Sequence, residues 1–144
     1  MDANIVRRAQ MEGEFQGFDQ DALFSLTDGT HWLQAEYKYW YHYAYRPTVE
    51  IFRDGVRICI RVAGRTESVM VKQLSGVIES QLADAFEGWQ GDSEYELTNG
   101  QVWRQRVYKY EYKYAYRPNV VIYDTSSGTV MDVDGSRAIV ERVR

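Results

Sequence analysis

The sequence predicts an all-β protein made of two tandem SH3-like small β-barrels, in residues 1–73 and 74–144, with little or no helix. Three observations predict it. The chain repeats itself once, each copy has Asp-Gly or Asn-Gly between extended runs, and tyrosines stand at every second position. About five short strands in some 65–70 residues are typical of a small closed barrel.

The internal duplication appears when the sequence is shifted by 71 positions. Residues 37–47, YKYWYHYAYRP, then fall on residues 108–118, YKYEYKYAYRP. Between residues 15 and 52, 19 of 38 positions are identical to residues 86–123, and no gap is needed. Two copies are too few for a solenoid and indicate a tandem pair of domains.

Each copy is read in the same order of elements. An extended run precedes a hairpin with its turn at Asp28-Gly29 or Asn99-Gly100. The tyrosine segment follows and ends at Arg-Pro, where proline offers no amide donor. A second hairpin and a last strand complete the copy. Residues 74–86 are the helix candidate, but the aligned Gly13 of the first copy favours strand there.

Five tyrosines in each copy share one face, since side chains alternate along a strand. We expect that face to be the inner one, with rings packed inside and hydroxyl groups at the rim. Trp40, on the opposite face, is then an exposed aromatic candidate. The alternatives are an aromatic platform for a flat or extended ligand, or self-association through the two segments. Gln34 and Gln105 are expected to bond turn backbone.

Composition excludes several classes of protein. The chain has 144 residues, a net charge of −4 and one cysteine, Cys59, in an alternating pattern typical of a core or edge strand. An internal disulfide is therefore impossible, and the reducing cytoplasm is the expected location. The apolar runs are too short to span a membrane, and the first ten residues lack the apolar region of a signal peptide.

No constellation for catalysis or for a metal emerges. The two histidines, His31 and His42, have no counterpart in the other copy, and no Cys/His cluster predicts zinc. Nucleophile elbow, phosphate loop and dinucleotide motifs are absent. Residues 131–135, MDVDG, match only the start of a calcium loop and predict a hairpin turn. We therefore predict no catalytic residue, no cofactor and no enzymatic activity.

The predicted function is binding of a peptide or protein by the aromatic surface. An alternative is nucleic-acid binding by the second copy, in which basic side chains contact phosphates and tyrosines stack on nucleobases. A structural homodimer is a third possibility. The candidate peptide-binding residues are Trp40, Tyr41, His42, Tyr43, Tyr45, Tyr112, Tyr114 and Tyr116, and the candidate phosphate-binding residues are Arg104, Arg106, Lys109 and Lys113.

The pattern L-x-[ND]-G-x-x-W-x-Q-x-x-Y-x-Y-x-Y-x-Y-x-Y-R-P covers Leu26 to Pro47 and Leu97 to Pro118. It resembles a family of small, functionally uncharacterised bacterial proteins whose members often look like products of integron gene cassettes. The resemblance implies a β-rich, barrel-like unit and a bacterial source. It implies no activity and assigns no functional residues.

Overall fold

The computed structural model describes residues 4–144, which form strands and turns without any helix. The all-β prediction is confirmed, and strands also occupy the helix candidate in residues 74–86. The chain divides into two compact units, Met1–Ser75 and Gly76–Arg144, with the boundary two residues beyond the predicted one. No helix in the described part of the chain is long and apolar enough to cross a membrane.

The first unit contains one six-stranded antiparallel sheet in the order β1-β6-β7-β8-β4-β3, and β2 pairs separately with β5. Its strands are β1 (Asn4–Gln10), β2 (Glu14–Phe15), β3 (Leu23–Ser25), β4 (His31–Gln34), β5 (Ala44–Tyr45), β6 (Thr48–Asp54), β7 (Arg57–Val62) and β8 (Ser68–Leu74).

The second unit repeats this topology with the sheet order β12-β13-β18-β17-β16-β9, and β10 pairs with β15 and β11 with β14. Its strands are β9 (Ile78–Gln81), β10 (Ala85–Phe86), β11 (Trp89–Gln90), β12 (Glu94–Glu96), β13 (Val102–Gln105), β14 (Tyr110–Glu111), β15 (Ala115–Tyr116), β16 (Asn119–Thr125), β17 (Gly128–Val133) and β18 (Ser136–Arg142).

The two ends of each sheet meet just beyond their strands. In the first unit, Met11 and Leu26 form a bridge, and the amide of Thr27 donates to the carbonyl of Gln10 at 2.8 Å. In the second unit, Leu82 and Leu97 form the corresponding bridge. Each sheet therefore curls until its first and last strands touch at one corner.

Turn chemistry places the hairpins where the sequence predicts them. Gly29 and Gly100 have φ of +88° and +90°, a conformation that glycine adopts without a steric penalty. β3 pairs with β4 and β12 with β13 across these turns. The second hairpins, β6 with β7 and β16 with β17, are also as predicted.

The gap-free alignment of the two copies holds only as far as Gly64 and Gly135. Ile60 pairs with Val69, whereas Met131, which is 71 residues after Ile60, pairs with Ala138, which is 69 residues after Val69. The second copy therefore lacks two residues between its last two strands. The deletion shortens a turn and leaves the strand order intact.

Aromatic rings fill the core of each unit. Phe15 and Phe18 pack edge to face at 5.8 Å in the first unit, and Phe86 and Trp89 do so at 5.1 Å in the second. Cys59 lies buried in the first unit, as predicted, and burial raises the pKa of its thiol. The sheets pack around these cores, and the tyrosine segments described below lie against them.

A buried carboxylate in the first unit gives a stability prediction. The side chain of Glu50 accepts hydrogen bonds from Arg61 Nε at 2.8 Å and Arg8 Nη2 at 2.7 Å, which hold its pKa below the ordinary value of 4.5. Glu50→Gln should lower the free energy of unfolding at pH 7 by about 2 kcal/mol. The measurement is urea denaturation followed by tryptophan fluorescence.

The pH dependence provides the control. Because the native pKa of Glu50 is lowered, its stabilisation is complete above 4.5 and is lost as pH falls through the native pKa. The difference between wild type and variant should therefore shrink as pH falls below 4.5. Glu141→Gln, which removes the exposed pair with Arg104, should cost about 0.5 kcal/mol or less. A difference independent of pH would contradict the assignment.

Candidate functional site: two outward-facing tyrosine rows

The tyrosines face solvent, so the prediction that they form the inner face is wrong. Ten of them are between 50% and 77% exposed. They form the first tyrosine row (Tyr37, Tyr39, Tyr41, Tyr43 and Tyr45) and the second tyrosine row (Tyr108, Tyr110, Tyr112, Tyr114 and Tyr116). Exposed and half-buried residues alternate through 37–45, as expected of an extended segment. The phenol hydroxyl groups thereby keep their hydration, which a dry core would remove.

The opposite face of the first row lies on the core. Trp40 packs against Phe18 with ring centroids 5.2 Å apart, and His42 stacks on Trp40 at 5.0 Å with an interplanar angle of 8°. Trp40 is therefore a half-buried anchor and not the exposed aromatic that we expected. His42 belongs to the same anchor, so both candidate residues lie behind the row and support it.

The second row is anchored by polar contacts instead. Glu111 and Trp89 are the counterparts of Trp40 and Phe18 in this copy. Trp89 Nε1 donates to Ser136 Oγ at 2.8 Å, and Ser136 Oγ donates to Glu111 Oε1 at 2.8 Å. Lys109 Nζ lies 3.3 Å from Glu111 Oε1. The bond from Ser136, with help from Lys109, lowers the pKa of Glu111.

A buried glutamine fixes the start of each row. Gln34 Nε2 donates to the carbonyls of Asp19, Glu36 and Lys38 at 2.6, 2.9 and 3.3 Å. Gln105 Nε2 donates to the carbonyls of Val107 and Lys109 at 3.1 and 2.8 Å. Both bond turn backbone, as predicted. Each glutamine therefore ties the end of a sheet strand to the first residues of the row.

A glycine in each unit allows the row to lie close to the preceding segment. Gly17 and Gly88 have φ of +97° and +98°, and a Cβ on either would collide with the row's backbone, at Trp40 or at Glu111. The rows end at Arg46 and Arg117, which have φ of +48° and +47° although they are not glycines. In the sequence, the Arg-Pro repeated in both copies predicts the end of the segment, but these arginines were not among the candidate site residues.

One edge of each row is open. The amides of Lys38 and Trp40 donate to the carbonyls of Asp19 and Phe18, on the side of the neighbouring segment. The tyrosines that alternate with them direct their backbone N–H and C=O groups to the opposite side. Among residues 4–144, none of these groups forms a backbone–backbone hydrogen bond at Tyr39, Tyr41 or Tyr43, and the same holds at Tyr112 and Tyr114. Unpaired N–H and C=O groups thus lie along the edge of the phenol surface.

One hydroxyl of the rows has a protein partner. Tyr43 Oη donates to Glu14 Oε1 at 3.2 Å. Partial desolvation and this hydrogen bond raise the pKa of Tyr43. The counterpart of Glu14 is Ala85, so Tyr114 has no equivalent partner. The two rows therefore differ in charge, although their tyrosines are the same.

The four basic side chains proposed to bind phosphates do not form one strip that is free to contact a nucleic acid. Arg104 Nη2 binds Glu141 at 2.6 Å, and this hydrogen bond raises the pKa of Arg104. Lys109 Nζ donates to the carbonyl of Arg137 at 2.6 Å, and Lys113 Nζ to that of Asp134 at 2.5 Å. Arg106 is exposed without an ion pair among residues 4–144.

Candidate chemistry elsewhere is sparse. Within residues 4–144, no group of three or more His, Cys, Asp or Glu side chains is placed to hold a metal ion. Asp132, in the predicted hairpin turn, accepts a hydrogen bond from the amide of Gly135 at 2.8 Å, and burial raises its pKa. Comparison with protein-family models, curated proteins and solved structures finds no match to this chain.

Proposed function

We propose that this chain is a non-enzymatic binding protein that holds an extended peptide, or an extended segment of a partner protein, along its tyrosine rows. The carrying observation is the contrast between the two faces of the repeated segment. All five tyrosines are identical in the two copies, whereas two of the four residues between them differ: Trp40 and His42 in the first copy correspond to Glu111 and Lys113 in the second. Exposed positions ordinarily diverge more freely than packed ones.

The size of the surface also supports binding. Five tyrosines about 6.6 Å apart form a row about 26 Å long. At about 200 Å² for each side chain and the exposed fractions given above, one row leaves roughly 650 Å² uncovered, slightly more than the largest patch that a monomer usually exposes. Tyrosine buries a large area with little loss of rotamer entropy, which suits interfaces.

The test selects ligands and then removes the row. Displayed random peptides of about 12 residues should be enriched by the wild-type protein. Tyr112→Ser with Tyr114→Ser should weaken the selected peptides by about tenfold or more, since truncating contact residues typically costs about 1 kcal/mol each. Isothermal titration calorimetry with synthetic peptides measures the change. Val56→Ser, at a side chain that is 96% exposed and outside the rows, is the matched control.

Two results would contradict the proposal. One is the absence of any enriched peptide. The other is that selected peptides bind the double variant and the Val56→Ser control equally well, which would place the contact away from the row. Circular dichroism of the double variant should match that of the wild type, because both side chains are exposed.

We further infer that each unit is a small barrel of the SH3-like type. The shared strand order and the bridges between the two ends of each sheet support this. A crystal structure of the protein tests it. Strands β1 and β3, and β9 and β12, should lie close enough to bond at Met11–Leu26 and Leu82–Leu97. Sheets that stay open at these corners would contradict it.

The proposed location is the reducing cytoplasm. The single cysteine is buried in the first core, so it offers no disulfide and no exposed thiol. Fractionation of the cells that make the protein, with an antibody against it, tests this directly. Recovery in a membrane or extracellular fraction would contradict it.

A further inference from the structure

Unpaired positive charges flank the second tyrosine row. Arg106 precedes Tyr108 by two residues, and Arg117 directly follows Tyr116. Both arginines are exposed, and neither side chain forms an ion pair among residues 4–144. Four bases and one acid lie between residues 106 and 117. A ligand with negative charge at both ends would complement this segment.

The backbone of Arg117 points to the same end of the row. Its φ of +47° is unfavourable for a residue with a side chain, and the position after it is proline in both copies. Glycine would relieve that strain, yet both copies have arginine. Strained positions of this kind cluster where ligands bind. The guanidinium group can form paired hydrogen bonds to a carboxylate.

The open edge and the spacing of the row select the conformation of the ligand. A strand bound to the edge at Tyr112 and Tyr114 would supply the missing backbone hydrogen bonds. Its side chains would also repeat every 6.6 Å or so, in step with the tyrosines. A polyproline helix repeats about every 9.3 Å and offers few amide donors, so it fits neither the spacing nor the edge.

We propose that the occupant of the second tyrosine row is an acidic, strand-forming peptide segment. It adds to the open edge at Tyr112 and Tyr114 and places carboxylates at Arg106 and Arg117. This rests on the proposed function, and it adds the chemical class and the binding mode of the ligand. The first row is a weaker site for such a peptide, because Ala35 replaces Arg106 and Glu14 adds a negative charge beside Tyr43.

The charge test compares two synthetic peptides of about 11 residues, the length that spans Arg106 to Arg117. Both alternate Thr and Val, and one has Glu at each end where the other has Gln. The acidic peptide should bind about five- to tenfold more tightly at low salt, as two exposed ion pairs allow. Arg106→Gln with Arg117→Gln should remove that preference, whereas Arg65→Gln, at an exposed arginine of the first unit, should leave it intact.

The edge test uses the same acidic peptide with N-methyl groups on alternate amides. Methylation of the set that faces the row should weaken binding by about tenfold or more, and methylation of the other set should change it little, because only alternate amides of a strand bond to one neighbour. Equal effects of the two sets would overturn the strand-addition mode. Equal affinity of the Glu and Gln peptides would overturn the charge preference.

Other occupants give distinct results. An oligo-dT strand of about 12 nucleotides that binds more tightly than the acidic peptide and displaces it would overturn the proposal in favour of nucleic acid. A dimer in sedimentation that the Tyr112→Ser, Tyr114→Ser double variant dissociates would also overturn the proposal, in favour of self-association. If library-selected peptides depend on Tyr112 and Tyr114 but show neither the preference for acidic ends nor the dependence on alternate amides, only this inference fails. If no peptide depends on them, the proposed function fails.

Discussion

Gly17→Ala should lower the free energy of unfolding of the first unit by about 3 kcal/mol or more. Alanine is strained at a φ of +97°, and its Cβ would collide with the carbonyl oxygen of Trp40 and lie 2.9 Å from the carbonyl carbon. The row must then move away from the core, so the packing of Trp40 on Phe18 is lost. Gly88→Ala should act alike in the second unit, where the new Cβ would lie 2.8 Å from Tyr112 Cα.

Two other glycines of the first unit separate the causes of this effect. Gly13 has no atom near its missing Cβ and no positive φ, so Gly13→Ala should change stability by about 0.5 kcal/mol or less. Gly29 has φ of +88° but open space, so Gly29→Ala should cost about 1 kcal/mol. Urea denaturation of the three variants measures the series. Equal costs for Gly17 and Gly29 would contradict close docking of the row.

Gln34→Glu should be the most damaging change to the start of the first row, at about 3 kcal/mol or more at pH 7. An ionised glutamate cannot donate to the three carbonyls that Gln34 Nε2 now bonds, and the site is buried, with the residue 3% exposed. Burying a charge among acceptors costs more than losing one neutral bond. Thermal or urea denaturation across pH measures the effect.

The pH profile of this variant distinguishes charge from lost packing. Burial beside carbonyls should raise the pKa of the new carboxyl, so the unfolded state holds fewer protons and stability should recover as pH falls. Protonated glutamate can again donate one bond. Gln16→Glu, at an exposed position aligned with Glu87, should cost about 0.5 kcal/mol or less. No recovery at low pH would contradict the role of Gln34 as a donor.

The strands and turns could be predicted because local chemistry determines them. Asp28-Gly29 and Asn99-Gly100 form hairpin turns, since their glycines take a positive φ that few other residues tolerate. The alternation of tyrosines correctly placed five side chains on one face of an extended segment. These inferences depend on a few adjacent residues, so the rest of the fold did not have to be known.

Which face of the segment is buried could not be predicted from the alternation alone. Period two separates the tyrosines from Trp40 and His42 but does not say which set meets the core. The deciding contacts come from Phe15 and Phe18, which are more than 20 residues away along the chain. Five aromatic residues on one face suggested that this face is buried, but the core instead packs against Trp40 on the other face.

The polar contacts that anchor the second row could not be predicted from the sequence either. Glu111 is exposed and also accepts a hydrogen bond from Ser136, which is 25 residues away along the chain. Ser136 begins β18, after a turn that is two residues shorter than in the first copy, a difference visible only in the strand register.

Nitration of surface tyrosines by tetranitromethane, mapped by peptide mass spectrometry, tests most directly whether the rows are available to a ligand. All ten row tyrosines should react in the native protein. Tyr43 should react more slowly than Tyr114, because partial desolvation and the hydrogen bond to Glu14 raise its pKa. Tyr95 and Tyr123, which are 9% and 3% exposed, should react only after denaturation. Row tyrosines protected as strongly as Tyr95 would show that the rows are covered and would contradict the binding surface.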